Sequence, residues 1–230
     1  MKLSFNTSDP KYVLYKRELL HRPREERLFL TDTKILIRQT GDKIIAAIDN
    51  DMLYAWKSVF VLLVSNPQFD IKYILALLNS RVLNYFYNII VGELGRTFAQ
   101  VKGVNLNQLP IKTINQKKQY LFVYLSNIII FLKSKNITKY SVFFEDLLDS
   151  AILDLYFSEH MREKKIDILQ FLSNDLENIH NLDNLEDAEK QKLIERLHTK
   201  WTDPDNEVRN RIKLFAVRSP DILKPILESK

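Results

Sequence analysis

The chain has 230 residues, 46% of them hydrophobic, which is enough for one large or two small folded domains and excludes global disorder. It contains no cysteine, so disulfides and thiolate metal sites are excluded. The formal net charge of +5 lies entirely in residues 1–110, which hold 15 Lys and Arg against 10 Asp and Glu, whereas residues 111–230 hold 19 of each. A basic excess favours a polyanionic partner.

Three features of the sequence predict a soluble, cytoplasmic protein. The N-terminal segment becomes polar too early to be a signal peptide. The most apolar run, residues 120–132, is too short to cross a bilayer and is better explained as a buried helix. The lack of cysteine agrees with a reducing compartment.

The clearest predicted elements of the N-terminal half are β-strands. Two β-branched runs, residues 35–37 and 44–48, flank the turn residues 40–42 and predict a hairpin. The continuous apolar run at residues 59–64 predicts a further strand that is covered on both faces. The polar side chains at the hairpin tip are Arg38, Gln39 and Lys43.

One amphipathic helix is predicted over residues 71–90, where apolar residues recur every three or four positions. The loop after it contains three of the four glycines of the chain, which indicates a particular loop shape. An ordinary helix cap at Gly92 followed by a surface turn also explains this composition. The loop side chains able to bond phosphates or base edges are Arg96, Thr97, Gln100 and Lys102.

Helical periodicity then continues to the C-terminus, with predicted helices at 116–134, 141–158, 162–179, 185–200, 205–217 and 220–228. These patterns predict an α+β fold, with a small mixed β-sheet and one main packing helix followed by an all-α C-terminal region. We place the boundary near residue 115, which gives an N-terminal module of residues 1–115 and a helical region of residues 116–230.

Motifs for catalysis and metal binding are missing from the sequence. It has no glycine-rich phosphate loop and no His-Glu-x-x-His motif. A turn after a strand explains Asp49 and Asp51, and a solvated helix face explains Glu163 and Lys165. We therefore expect no catalytic residue, metal site or cofactor in this chain.

Three segments occur in a recognisable order: KILIRQTGDKIIAAID (34–49), YILALLNSRVLNYFY (73–87) and FAQVKGVNLNQLPI (98–111). The set resembles the TaqI-like C-terminal specificity domain of bacterial N6-adenine DNA methyltransferases and fused type II restriction-modification enzymes. Its most specific parts are the Asn79-Ser80 pair and the closing Leu-Pro-Ile. Residues 143–157 are similar to the helical segment that follows this domain, so the resemblance covers roughly residues 30–160.

The resemblance implies a target-recognition module that reads a short duplex DNA sequence and presents it to a methyltransferase or nuclease domain or subunit. The chain lacks the Asn-Pro-Pro-Tyr or Asn-Pro-Pro-Phe tetrapeptide of an adenine methyltransferase. The catalytic domain, with its S-adenosylmethionine, is therefore expected N-terminal to this chain. The early part of the recognition region, before the hairpin, looks shortened.

On this interpretation Arg contacts guanine, Gln contacts adenine and Lys contacts phosphate, while Asn79 and Ser80 cap or pack a helix. The alternative is a protein-protein docking module for a methyltransferase or nuclease subunit, formed by the neutral helical half without direct DNA binding. A hydrolase is a third hypothesis, which a cluster of buried carboxylates would support. The predicted DNA contacts are Arg38, Gln39, Lys43, Arg96, Thr97, Gln100 and Lys102.

Overall fold

Three short strands form one sheet in the N-terminal half of the protein. The structure is a computed structural model that describes residues 16, 18, 23–92, 100–177, 179 and 181–229. The strand order is β2-β1-β3, and both pairings are antiparallel, so the sheet is antiparallel where a mixed one was predicted. The strands are Lys34–Arg38 (β1), Ala46–Asp49 (β2) and Val59–Leu62 (β3).

The predicted hairpin is present as β1 and β2, with Lys34 opposite Asp49 and Ile37 opposite Ala46. β1 is the central strand, and its first four residues are buried because it has a neighbour on each side. The prediction that the run at 59–64 is covered on both faces is wrong. All four residues of β3 keep part of their surface exposed, and Phe60 and Leu62 pack against the core whereas Val59 and Val61 are not part of it.

The helix predicted over residues 71–90 is two helices, Ile71–Asn79 (α1) and Arg81–Val91 (α2), which are bent by 62° at Ser80. Ser80 has an extended backbone and caps α2, because its Oγ accepts a hydrogen bond from the Leu83 amide. The apolar period continues across the break, so periodicity alone could not show it. The capping role predicted for Ser80 is confirmed.

Helices make up most of the described chain after residue 100. The predicted helix at 116–134 has the same bounds in the structure. The one predicted at 162–179 is wrong in its first part, because Asp154 accepts hydrogen bonds from the Ile168 and Leu169 amides and starts a helix there. The helices are Gly103–Leu106 (α3), Gln116–Ser134 (α4), Thr138–Tyr156 (α5), Ser158–Glu163 (α6), Leu169–Leu176 (α7), Asp187–Thr202 (α8), Glu207–Lys213 (α9), Phe215–Arg218 (α10) and Leu223–Glu228 (α11).

The predicted α+β fold class is confirmed, and one apolar core runs through both parts of the described chain. Its buried residues extend from Ile35 in β1 to Ile226 in α11. α1 packs against β2 and against α4, so it links the sheet to the helical region. The division into modules at residue 115 remains a proposal about how the chain is organised.

Arg81, the first residue of α2, makes a polar connection between the sheet-bearing part and the helical region. Its amide and its Nε donate hydrogen bonds of 2.9 and 3.1 Å to the two carboxylate oxygens of Asp149. Its Nη2 donates to Asp146 over 2.6 Å. Both carboxylates lie on α5, so these bonds fix α2 against that helix.

Burial raises the pKa of Asp149 from 3.8 to about 6, although the bonds from Arg81 act in the opposite direction. The folded state therefore holds this proton more tightly than the unfolded state does. The contribution of Asp149 to the free energy of unfolding is complete below about pH 4 and is lost as the pH rises to about 6.

We expect Asp149→Asn, which cannot titrate, to remove this part of the pH dependence. Urea unfolding of both proteins at pH 4, 5, 6 and 7 gives the test. The difference in free energy of unfolding between wild type and variant should change most between pH 4 and 6 and level off at about pH 7. A difference that is independent of pH would contradict the raised pKa.

Within the described residues, no single helix is long and apolar enough to cross a membrane. The bent pair of α1 and α2 reaches that length and composition only when its members are counted together. Six of the nine residues of α1 are buried inside the protein.

Candidate nucleic-acid interface

Three separate segments meet at the end of the sheet where β1 ends and β3 begins. The Gln39 amide donates to the Ser58 carbonyl over 2.9 Å, and the Val101 amide donates to the Gln39 carbonyl over 2.8 Å. Thr40 and Gln100 form an isolated antiparallel bridge. The hairpin tip and the segment after the glycine loop, 60 positions apart in sequence, are therefore neighbours. We call residues 38–43, 57–58 and 100–102 the polar end of the sheet.

The structure brings together the described members of the predicted set. Arg38 and Gln39 are half-buried, whereas Lys43, Gln100 and Lys102 are exposed. Arg96 and Thr97 lie outside the described residues. The predicted contacts come from two chain segments, and the backbone bonds between these segments place five of the seven at one end of the sheet.

Gly41 shapes the hairpin tip around the Arg38 side chain. It has a φ of +126°, which residues with a Cβ rarely adopt. A Cβ at this position would lie 2.6 Å from Nη2 of Arg38, so a larger residue here would displace the guanidinium. Arg38 is thus held close to the backbone of its own hairpin.

Asn79, the last residue of α1, and Asn84 of α2 form hydrogen bonds to the β2 side of the hairpin. The Asn79 side-chain amide accepts from the Ala46 amide over 2.9 Å and donates to the Ala46 carbonyl over 3.0 Å. Oδ1 of Asn84 accepts from the Ile44 amide over 2.8 Å. These bonds satisfy the outer edge of β2 and fix the backbone next to Lys43, so the packing role predicted for Asn79 is confirmed.

Tyr87 of α2 anchors the segment that contains Gln100 and Lys102. Its hydroxyl accepts from the Lys102 amide over 2.9 Å and donates to the Gln100 carbonyl over 3.4 Å. The ring itself is buried, with only 2% of the residue exposed. Tyr87 is therefore a positioning residue for two exposed polar side chains, a role that the local sequence pattern does not indicate.

Tyr87→Phe should keep the ring packing and remove both bonds. We expect a loss of about 1 kcal/mol in the free energy of unfolding, because one amide and one carbonyl lose a partner. We also expect weaker DNA binding, since Gln100 and Lys102 are no longer held in place. Tyr85→Phe is the matched control, because the Tyr85 hydroxyl makes no hydrogen bond within the described residues. Equal DNA affinity of the two variants would contradict the anchoring role.

Sequence reasoning missed the turn that leads into β3. Ser58 accepts the Gln39 amide, so Lys57 and Ser58 stand beside the hairpin tip. Arg24 holds this turn, with Nη1 donating to the Val59 carbonyl over 2.7 Å and Nη2 to the Lys57 carbonyl over 3.3 Å. The polar end consequently carries four cationic side chains against one acidic one, Asp42. The four are Arg38, Lys43, Lys57 and Lys102.

The buried carboxylates of the described residues have structural partners. Asp49 is 2.6 Å from the Lys34 ammonium, and it also accepts the amides of Asp51 and Leu53, as the predicted turn requires. Asp154 caps α7. Within the described chain no group of three His, Asp or Glu residues has the arrangement of a metal site.

A cleft of about 460 Å³ lies away from the polar end, between the sheet and the helical region. Thr33 precedes β1 and Asn50 follows β2, so both lie at the end of these strands that is far from the hairpin tip. They line the cleft together with Lys72, Tyr124 and Asp183. Its position separates it from every described residue of the predicted DNA-contact set.

Comparison with protein families identifies the N-terminal part of the chain. Residues 2–111 match the TaqI-like C-terminal specificity domain. The match starts upstream of the predicted span of 30–160 and ends at Ile111, so the similarity of residues 143–157 to the family's following segment remains a prediction. Comparisons with curated proteins and with solved structures give no significant match. The N-terminal part of this chain is therefore similar to the TaqI-like C-terminal specificity domains, a family that suggests a DNA-recognition role in restriction-modification systems.

Proposed function

We propose that this chain reads a short duplex DNA sequence for an adenine-methylating or restriction-modification system in the bacterial cytoplasm. The polar end of the sheet is the DNA-contact surface on this proposal. Catalysis, together with S-adenosylmethionine, belongs to a methyltransferase or nuclease domain or subunit with which the chain associates.

The observation that carries the proposal is the meeting of three segments at one end of the sheet. Guanidinium, ammonium and amide groups are the side-chain types that bind phosphates and base edges. With four cationic side chains and one acidic one, this end carries a positive charge, which attracts a polyanion such as DNA. Backbone hydrogen bonds and Tyr87 hold the segments in place, so the surface is organised before DNA arrives.

The protein-docking alternative requires a continuous apolar face on α4 or α5. In the described structure the large apolar side chains exposed on these two helices are Tyr120 and Val142, 42% and 64% exposed. They lie on different helices, and scattered exposed apolar residues are normal on a protein surface. The polar end thus favours DNA as the direct ligand.

A salt-series binding assay on random duplex DNA tests the proposal, with the intact chain compared with Arg96→Ala, Lys102→Ala. We expect affinity that falls steeply with salt and is reduced in the double variant. Binding that does not depend on salt would count against the mechanism. If neither protein binds DNA, a pull-down with a methyltransferase subunit would instead favour the docking alternative.

A further inference from the structure

Trp56 is the most exposed large hydrophobic residue of the described chain, with 77% of its surface accessible. It directly precedes Lys57 and Ser58 of the polar end. The other tryptophan, Trp201, is 1% exposed and donates from its indole nitrogen to Asp175 over 2.8 Å. Because this indole stays exposed, folding does not give it the favourable free energy that burial gives most large aromatic side chains.

The backbone that carries Trp56 is fixed by a set of hydrogen bonds. The Val59 amide donates to the Trp56 carbonyl over 3.0 Å, which closes the turn. Arg24 bonds the carbonyls of Lys57 and Val59, and the Gln39 amide bonds that of Ser58. The indole is therefore presented to solvent from a turn bonded on both sides, so little backbone entropy is lost when it binds a ligand.

The immediate neighbours of Trp56 distinguish it from a hydrophobic docking patch. Lys57 and Ser58 follow it and are exposed, and the Ser58 carbonyl is bonded to the hairpin segment that carries Arg38 and Lys43. Tyr54, the nearest exposed aromatic residue in sequence, is already engaged, since its ring stacks on Phe29 at 4.9 Å and its hydroxyl donates to Glu26 over 2.7 Å. An exposed ring beside lysines suits a ligand that offers both phosphates and flat aromatic faces, which is nucleic acid.

We propose that the Trp56 ring stacks on a base that is partly unstacked in the DNA bound at the polar end. Stacking needs a free base face, which an intact duplex does not offer, so this contact favours DNA that is locally opened or distorted. The lysines engage the backbone while the indole engages the base. The inference rests on the proposed function and adds to it a preference for a deformed DNA step.

The test uses a random 20-base-pair duplex and the same duplex with one central mismatch. Wild type should bind the mismatched duplex more tightly, because a mismatched base is easier to unstack. Trp56→Ala should lose this preference and bind the mismatched duplex roughly 5- to 100-fold more weakly, as expected for the loss of one stacked base. Trp56→Phe should be intermediate. Thermal unfolding of the variants should match wild type, since the side chain is exposed.

Fluorescence gives an independent readout because the two tryptophans differ so strongly in exposure. Mismatched DNA should protect wild-type emission from acrylamide quenching, whereas the residual Trp201 emission of Trp56→Phe should not respond. If wild type and Trp56→Ala bind DNA equally and with the same salt dependence, and DNA does not protect the wild-type emission from acrylamide, the inference is overturned but the proposed function is not. Absence of any DNA binding by the wild type would overturn the proposed function and the inference together.

Discussion

Replacing Lys34 by methionine is expected to lower the free energy of unfolding by about 3–5 kcal/mol, the usual cost of breaking a buried ion pair. The Lys34 ammonium and the Asp49 carboxylate are 2.6 Å apart, and both side chains are at most 1% exposed. The ammonium also donates to the Phe29 carbonyl over 2.8 Å. The variant would leave a charged carboxylate and this carbonyl buried without their partner. Urea unfolding monitored by circular dichroism measures the loss.

Lys43→Met is the matched control, because it makes the same change at an exposed position of the same hairpin. Its free energy of unfolding should stay within about 0.5 kcal/mol of wild type. Adding Asp49→Leu to Lys34→Met should recover part of the loss, since an apolar pair can replace a buried ion pair. Recovery should be incomplete, because Asp49 also accepts the amides of Asp51 and Leu53. A loss below 1 kcal/mol in Lys34→Met would contradict the buried-pair account.

The second large effect is expected on the salt dependence of DNA binding. Lys43, Lys57 and Lys102 are exposed and come from the three segments of the polar end. If each neutralises one phosphate, replacing all three by alanine reduces the slope of log affinity against log salt by about 2.7. Raising the salt from 50 to 200 mM would then weaken the variant about 40-fold less than it weakens wild type.

A matched triple variant separates this local effect from the loss of net charge. Lys164, Lys192 and Lys213 are also exposed but lie in the helical region. Their replacement by alanine changes the net charge by the same amount and should leave the slope close to that of wild type. Equal slopes for the two triple variants would show that DNA does not contact the polar end.

Much of the framework could be predicted from the sequence because it depends on local patterns. The β-branched runs and the turn residues around Gly41 predicted the hairpin, and the bounds of α4 followed from its apolar period and the polar residues at its ends. The break at Ser80 was missed because a single polar residue, which caps one helix and starts the next, leaves the apolar period unchanged. The capping signal of Asp154 was missed because it acts from 14 residues away.

The candidate interface was predicted only in part, since its assembly depends on long-range contacts. Residue types selected the hairpin tip and the segment after the glycine loop, but nothing local indicated that Thr40 pairs with Gln100. Lys57 and Trp56 lie in an irregular segment without periodicity, so their position beside the hairpin tip became visible only through the Gln39–Ser58 bond. The role of Tyr87 likewise follows from its hydroxyl contacts and not from its spacing.

The central claim is that duplex DNA binds at the polar end of the sheet, and lysine footprinting tests it within one molecule. The intact chain is acetylated with and without DNA, and mass spectrometry gives the modification rate of each lysine. We expect protection of Lys43, Lys57 and Lys102 and unchanged rates for Lys192 and Lys213 of the helical region. Equal protection of both groups, or protection of the helical lysines alone, would contradict the account.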